Sequence, residues 1–574
     1  MKFIFKYLGA FKGYVTLTLS VKIAGALVEL AIPYILSHIL DNVVPLKSVR
    51  RIVFWGAVMI VCALLACLGN IIANRMAAKL ARNTTRRIRH TLFDRIMRLS
   101  SRQIDRFTIP SLESRLTSDT YQVHHVVGMS MRMGVRAPIL LIGGVLITLT
   151  LDPVLTLVML VVLPLIAVTV TFITRKGVPL FKKTQGSVDG MVRIVREDAQ
   201  GIRVVKALSK VDYERRRYDK ANKTLVENEK RASSTMAASN PLVTLFLNVG
   251  LVAVIVTGAF RVNGDLSEPG KIIAFIQYFT MISNAMIAVT RIFVNFSKGA
   301  ASAQRIEEVI NTEPDLEVVS EDVYPPVKTD SFISFENVSF SYIGKMDNLS
   351  DIDFDIRRGQ SLGIIGATGS GKTTLLQLLM RLYDVNRGSV RIDGRDVRTI
   401  PHSELNTMFG VVMQNDFIYA GSIRDNIDFG RDLSDEAIRK AAHIAQAAEF
   451  IEAYEDGYDH HLNSKGTNLS GGQRQRLLIA RALAGQPQIL TLDDSSSALD
   501  YKTDARLRRA IREEMSDVTT ITVAQRVSSV MSCDLILVLD EGRIIGNGTH
   551  EELLRSCRVY KEISDSQIGG AFLD

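Results

Sequence analysis

Six apolar stretches dominate the first half of the chain, near residues 15–43, 52–76, 132–151, 153–174, 241–262 and 271–293. Each fits a helix of at least ~20 residues, the length that crosses a ~30 Å hydrocarbon core. The links between them alternate in kind. Those at 44–51, 151–153 and 261–270 are short, whereas those at about 77–130 and 175–240 are long, polar and helical in character. A link of that length is too long for a loop and too basic for lipid. The pattern predicts membrane helices that continue well into the cytosol and turn back.

Composition agrees. The 574 residues are 47% hydrophobic but only 7% aromatic, so the excess is aliphatic, as membrane helices require. The net charge of +9 could mean nucleic acid, but much of it flanks apolar segments, which points to cytoplasmic membrane flanks and no nucleic-acid partner. Arg75, Lys79, Arg82, Arg86, Arg87, Arg89, Arg95 and Arg98 put the first long link inside, while Lys47, Arg50 and Arg51 argue mildly the other way. Cys62, Cys67, Cys533 and Cys557 have no metal-ligand spacing and read as free thiols. Residues 1–13 carry no cleavable signal and read as an interfacial helix with Lys2, Lys6 and Lys12 toward headgroups.

Residues 14–311 therefore form a six-helix membrane domain. An acidic linker follows at 312–330, with Pro314, Pro325 and Pro326. From Ser331 short β-rich runs alternate with helices, the pattern of a parallel-sheet α/β domain over 331–574. Within it, Gly366-Ala367-Thr368-Gly369-Ser370-Gly371-Lys372-Thr373-Thr374 follows a strand ending at Ile365 and opens a helix expected over 372–382. Glycines there let backbone N–H groups approach phosphates, and the helix start adds its positive dipole end. Lys372 can neutralise outer phosphates, and the Thr373 hydroxyl can bind Mg²⁺. Ser470, Gly471 and Gly472 open another helix and make a second anion site. Asp493 ends the apolar strand 489–492 and can hold Mg²⁺ through water.

A phosphate loop followed by Leu469-Ser470-Gly471-Gly472-Gln473 and then Ile489-Leu-Thr-Leu-Asp493-Asp494 resembles the ATP-binding-cassette exporters, here a half-transporter of the type IV fold. That resemblance covers nearly the whole chain. Pro33 and Asp41 match the first membrane helix, Ile202–Leu208 the second coupling helix, and Ser302–Ile306 the end of the sixth helix. It implies ATP and Mg²⁺ as cofactors, Tyr342 stacked on adenine, and Gln414 touching Mg²⁺ with Thr373 and Asp493. It implies that residues 469–473 close over ATP held by a partner, and that Ser497 and Asp500 lie in the loop by which two sites sense each other. ATP is cytosolic, so both termini and the ATP-binding domain are expected inside a cell membrane crossed six times.

The chain departs from the family at three positions. Asp494 stands where the family has a glutamate, with the same charge but a reach shorter by roughly 1.5 Å. Gln525 replaces a histidine and cannot carry its positive charge. Ser464 stands where many exporters have an acid just before the signature. Asp494 and Gln525 together match the weakened, degenerate-site subunit of a heterodimeric multidrug-type exporter, an ATP-hydrolysing translocase whose non-identical partner does most of the hydrolysis. The alternatives are a slow homodimeric exporter and an ATP-binding regulatory or channel-like membrane protein.

For a path taken by a small, amphipathic substrate, Lys22 and Glu29 lie two turns apart on one face of the first membrane helix. Charges at that depth face a cavity or a partner, or else Lys22 snorkels and Glu29 pairs structurally. Gln277, Asn284, Arg291 and Asn295 recur at spacings of seven, seven and four along the sixth helix. They form either a polar stripe to the pathway or a helix–helix seam.

Overall fold

The computed structural model describes residues 2–344, 346–414, 416–495 and 498–568, with the side chains of 290, 291, 293, 294 and 568 excluded. The chain divides into two compact units, residues 1–97 with 109–312, and residues 98–108 with 313–574.

The first unit is helical. Its elements are α1 (Lys2–Leu8), α2 (Lys12–His38), α3 (Val49–Met97), α5 (Ile109–Ser114), α6 (Thr120–Arg132), α7 (Arg136–Leu151), α8 (Pro153–Ala207), α9 (Val211–Ala237), α10 (Ser239–Asn263) and α11 (Pro269–Ile310), while α4 (Ser101–Phe107) belongs to the second unit. Six of its helical stretches are long and apolar enough to cross a membrane. With 49 and 55 residues, α3 and α8 are ~74 and ~83 Å long at 1.5 Å per residue, far more than a bilayer needs. The exported length carries the arginines seen in the sequence. In α1 the lysines are exposed, but Phe3, Ile4 and Leu8 are buried within the unit.

Small residues and polar ties set the packing. A Cβ on Gly69 would lie 3.5 Å from the Gly25 Cα, so α2 and α3 approach backbone to backbone, close enough that a Cβ there would be in van der Waals contact with the other helix. Tyr278 of α11, fully buried, donates to the Leu30 carbonyl of α2 at 2.6 Å. Asp152 caps α8 by accepting from the Val154 and Leu155 amides, and its other oxygen accepts from Arg261 Nε of α10 at 2.9 Å. Asp41 accepts from Ser37 Oγ and from the Gly270 amide at the start of α11.

The second unit is built on two sheets. The strands are β1 (Ile333–Phe340), β2 (Leu349–Ile356), β3 (Ser361–Gly366), β4 (Arg387–Ile392), β5 (Arg395–Asp396), β6 (Phe409–Val412), β7 (Gly421–Ser422), β8 (His461–Leu462), β9 (Ile489–Asp493), β10 (Thr519–Val523), β11 (Leu535–Asp540) and β12 (Arg543–Gly548). One sheet runs β2-β1-β4-β5 and is antiparallel; the larger runs β12-β11-β3-β10-β9-β6, parallel except for β12. Every residue of β9 is buried, as a strand covered on both faces must be. A helical part, holding β7 and β8, has its own core around Ile438, Ile451, Leu477 and Leu483. From β6, β9, β10 and β3 the parallel strands deliver their carboxyl ends to one edge, where a ligand cleft is expected.

Candidate functional site

The phosphate-loop helix Lys372–Leu379 ends three residues earlier than the sequence expectation, at a turn that Met380 and Arg381 close. Ahead of it, Gly369 and Gly371 hold φ of +87° and +99°, backbone that residues with a Cβ rarely adopt. A Cβ on Gly371 would also strike Leu349 Cδ2 at 2.5 Å, whereas one on Gly369 would meet nothing within 4 Å. The loop is thus packed behind and open in front. Lys372 Nζ donates to the Gly366 and Ala367 carbonyls at 2.9 and 2.7 Å, which holds the ammonium over the loop. The Ser370 hydroxyl is buried inside it with no hydrogen-bond partner among the described residues.

A cleft of about 170 Å³ opens there, lined by Thr368, Gly369, Gly371, Lys372, Thr373, Thr374, Gln414, Asp493, Asp494 and Gln525 from four separated sequence segments. Asn348, Val523 and Ala524 line it too; no motif announced them, and only strand placement brings them in. Thr373 Oγ1 donates to Asp493 Oδ2 at 2.9 Å, so a hydroxyl and a carboxylate stand together at the helix start. Gln525 Nε2 lies 3.4 Å from Asp494 Oδ2. Asp494 holds φ of +51°, and its amide donates to the Val523 carbonyl, so its direction is set by the β9–β10 pairing.

Burial lowers the pKa of Lys372, against the opposing pull of Asp493 and Asp494. Burial raises that of Asp493, with Thr373 and Lys372 pulling it down and Asp494 adding to the rise. Burial also raises Asp494, opposed by Lys372 and Arg526. Two adjacent carboxylates beside one ammonium call for a further cation, and an open loop of amides calls for a polyanion. The donor set fits a nucleoside triphosphate with its divalent ion.

Tyr342 lies just beyond β1, its hydroxyl donating to Gln377 Oε1 at 2.5 Å and accepting from the Thr374 hydroxyl at 3.1 Å, its ring edge-on to Phe340 and Tyr383. Tyr383 in turn donates to Asp105 Oδ2 of α4 at 2.6 Å, and burial with that carboxylate drives its phenol pKa up. Tyr342 thereby connects to the phosphate-loop helix through Thr374.

Ser470 caps the helix Gly471–Ala484. Its Oγ accepts from the Gln473 amide while its own amide donates to Gln473 Oε1, a reciprocal capping box. Ser470 and Gly471 are exposed and Leu469 is buried. None of residues 469–473 lines the phosphate-loop cleft among the described residues, so the second anion site faces elsewhere. Asp500 caps the helix Tyr501–Glu514 by accepting from the Thr503 amide, and Ser497 lies outside the described residues. Ser464 opens a short 3₁₀ turn. Gln567 of the last described helix was not foreseen: its amide donates to the Gln525 carbonyl and accepts from the Val527 amide, both at 2.8 Å.

In the membrane unit Lys22 and Glu29 make two separate sets of contacts. Glu29 accepts from Arg136 Nε and Nη2 at 3.1 and 2.5 Å. Lys22 does not snorkel; it is 3% exposed and donates to Asn70 and Asn74 of α3 at 2.8 and 3.0 Å. The tight Gly25–Gly69 crossing brings those amides within reach. Gln277 and Asn284 are exposed on α11, Asn295 contacts Met129 Sδ, and the Arg291 side chain lies outside the described set.

Comparison with known proteins gives the same picture. The family model for the ABC transporter transmembrane region matches residues 15–286, and the ABC transporter model matches residues 349–497. An uncharacterized ABC transporter ATP-binding protein of Mycobacterium tuberculosis is 33% identical over 567 residues, covering 98% of this chain and 97% of that one. The ABC transporter ATP-binding protein YfiB of Bacillus subtilis is 34% identical over 545 residues, 94% of each. The solved structure of a bacterial Atm1-family ABC exporter with ATP bound shares the fold, with a TM-score of 0.81 at 23% identity over 97% of this chain and 98% of that one. Six membrane-spanning helical stretches, a phosphate loop at the carboxyl edge of a parallel sheet and full-length relatives converge on one conclusion: this chain belongs to the ABC transporter family, as a multi-pass membrane protein with exporter fold and a cytosolic ATP-binding domain.

Proposed function

We propose that the chain is one half of an ATP-driven exporter of small amphipathic molecules, that it works with a non-identical half-transporter, and that its own ATP site is the slow one. The Asp494–Gln525 pair carries this reading. Asp494 occupies the water-activating position with a side chain one methylene short, and Gln525 offers a neutral amide where a charged donor would stabilise the transferring phosphate. In this scheme Tyr342 stacks on adenine, residues 366–374 hold the phosphates, and Thr373, Gln414 and Asp493 take Mg²⁺. Bound Mg²⁺ would neutralise developing charge on the phosphates. Ser470, Gly471 and Gly472 would close over the partner's ATP, with Ser497 and Asp500 between the two sites.

A second reading needs only a second copy of this chain. It is favoured by the chain carrying both a well-formed phosphate loop and an ordered, capped signature helix, so that two copies would make two equal, slow sites. Two substitutions separate the readings. In the heterodimer, Ser470→Arg should abolish turnover, whereas Asp494→Asn should lower it little, because only groups acting at the hydrolysing site lower its barrier. In a homodimer both should stop hydrolysis. Brisk ATPase from the purified wild-type chain alone would overturn the weakened-site reading, and ATP binding without uphill transport in vesicles would leave a regulator or channel.

A further inference from the structure

Glu29 and Asp41 are the only acidic residues in the apolar stretches 15–43, 52–76, 132–151, 153–174, 241–262 and 271–293, and Asp41 lies at the very end of the first, so Glu29 is the one acid deep within a span. Basic residues are not so excluded. Lys22, Arg132 and Arg136 gather around Glu29, close enough for Lys22 to feel the charges of all three. The 16-residue α7 places Arg136 ~24 Å from the outer turn at Asp152, within the inner part of the hydrocarbon core.

Exposure tells where these groups point. The Arg136 and Glu29 side chains keep 38% and 24% of their surface, and Arg132 is exposed with its Nε on the Gly128 carbonyl at 3.1 Å. Charge at that depth is expensive against lipid, so a half-exposed ion pair belongs on a water-filled path. The neighbouring α3 adds amides, Asn70 and Asn74, and among the described residues no carboxylate beside them. Three cations against one anion leave this locus positive by two charges, which draws anions in and turns cations away. Arg136 already grips one carboxylate by its fork, so the site accepts the geometry of an acidic headgroup.

We propose that Arg132 and Arg136, with Lys22 behind them, form an anion-recognition site on the translocation path, and that it takes an amphiphile with a phosphate or carboxylate headgroup. Glu29 is then a built-in competitor: it holds Arg136 and yields it to the incoming headgroup. The inference rests on the export reading for the path, but its test reads binding directly.

The full-length protein, with its partner where a pair forms, is placed in phosphatidylcholine vesicles and titrated with dodecyl phosphate or dodecyltrimethylammonium. Binding is read by thermal shift and coupling by ATPase stimulation. Dodecyl phosphate should raise Tm and stimulate hydrolysis, while the ammonium amphiphile does neither at equal concentration. Arg132→Gln removes a charged donor without breaking an ion pair and should raise the half-saturating concentration about tenfold. Glu29→Gln removes the competitor and should lower it about threefold. If phosphatidylglycerol in the vesicles gives the same Tm rise and abolishes the response to dodecyl phosphate, the headgroup comes from the bilayer; a dodecyl phosphate response that persists when phosphatidylglycerol is present assigns it to a soluble cargo. Equal binding of the ammonium amphiphile, or dodecyl phosphate binding unmoved by both substitutions, overturns the site. A normal thermal shift without any ATPase response overturns the export reading and leaves the anion site standing.

Discussion

Replacing Asp494 with glutamate and Gln525 with histidine should turn a slow ATP site into a working one. The first change returns the carboxylate to the cleft with ~1.5 Å more reach and no change of charge. The second puts an imidazole, able to carry positive charge, where Gln525 now sits 3.4 Å from the carboxylate. Asp494 holds φ of +51°, which aspartate tolerates better than glutamate, at a cost of roughly 1 kcal/mol at most. A positioned acid–base group is commonly worth ~10²–10⁴ in rate. The lower end is ~2.7 kcal/mol of barrier, clearly more than the backbone strain. We therefore expect the double variant to release phosphate about 100-fold faster than the wild-type chain under saturating ATP, with nucleotide affinity changed less than about threefold. Steady-state phosphate release and nucleotide binding by the same reconstituted preparation measure both. A rate within twofold of wild type, with binding intact, would mean that water activation does not limit this site.

Gln567→Ala removes the clamp on the Gln525 carbonyl and the Val527 amide, so the slow hydrolysis of the purified chain measured without a partner should fall about fivefold with ATP affinity unchanged; lost affinity would show a merely structural role. Asp152→Ala breaks a cap and takes from the partly exposed Arg261 its carboxylate, and should destabilise the membrane unit by ~2 kcal/mol, read as a fall in melting temperature in detergent. The Cys533 thiol is pushed up to about 11 by burial and by Asp534, so at pH 8 maleimide should label it about 100-fold more slowly than an unperturbed thiol and faster as pH rises, whereas exposed Cys67 should react readily where detergent admits the reagent.

The six spans, their cytosolic extensions and the phosphate loop could be read from sequence because each is local, carried by an apolar run or a short motif with a backbone reason. What could not be read was the pairing of distant side chains. Lys22 and Glu29 share a helix face, but spacing alone names no partner for either. The structure gives Glu29 to Arg136, 107 residues away, because α2 and α7 pack together. Gln567 reaches the Gln525 segment across 42 residues for the same kind of reason. Asp500 was legible in two ways, as a member of a family motif and as a helix cap before Thr503, and the helix-start rule describes its contact directly.

The place of α4 has a consequence for synthesis. Gln103 donates to the Glu313 carbonyl and Asp105 accepts from Tyr383, so this seven-residue helix finds its hydrogen-bond partners only after much more chain has been made. Asp105 and Tyr383 are 278 residues apart, and at ~5–20 residues per second the ribosome needs ~14–56 s to cover that distance. During that interval a short amphipathic segment waits in the cytosol without its binding surface, long enough to be found by a chaperone or a protease. The Ser100–Gln103 capping box keeps its first turn formed meanwhile, a local hold on an element whose tertiary partners come last.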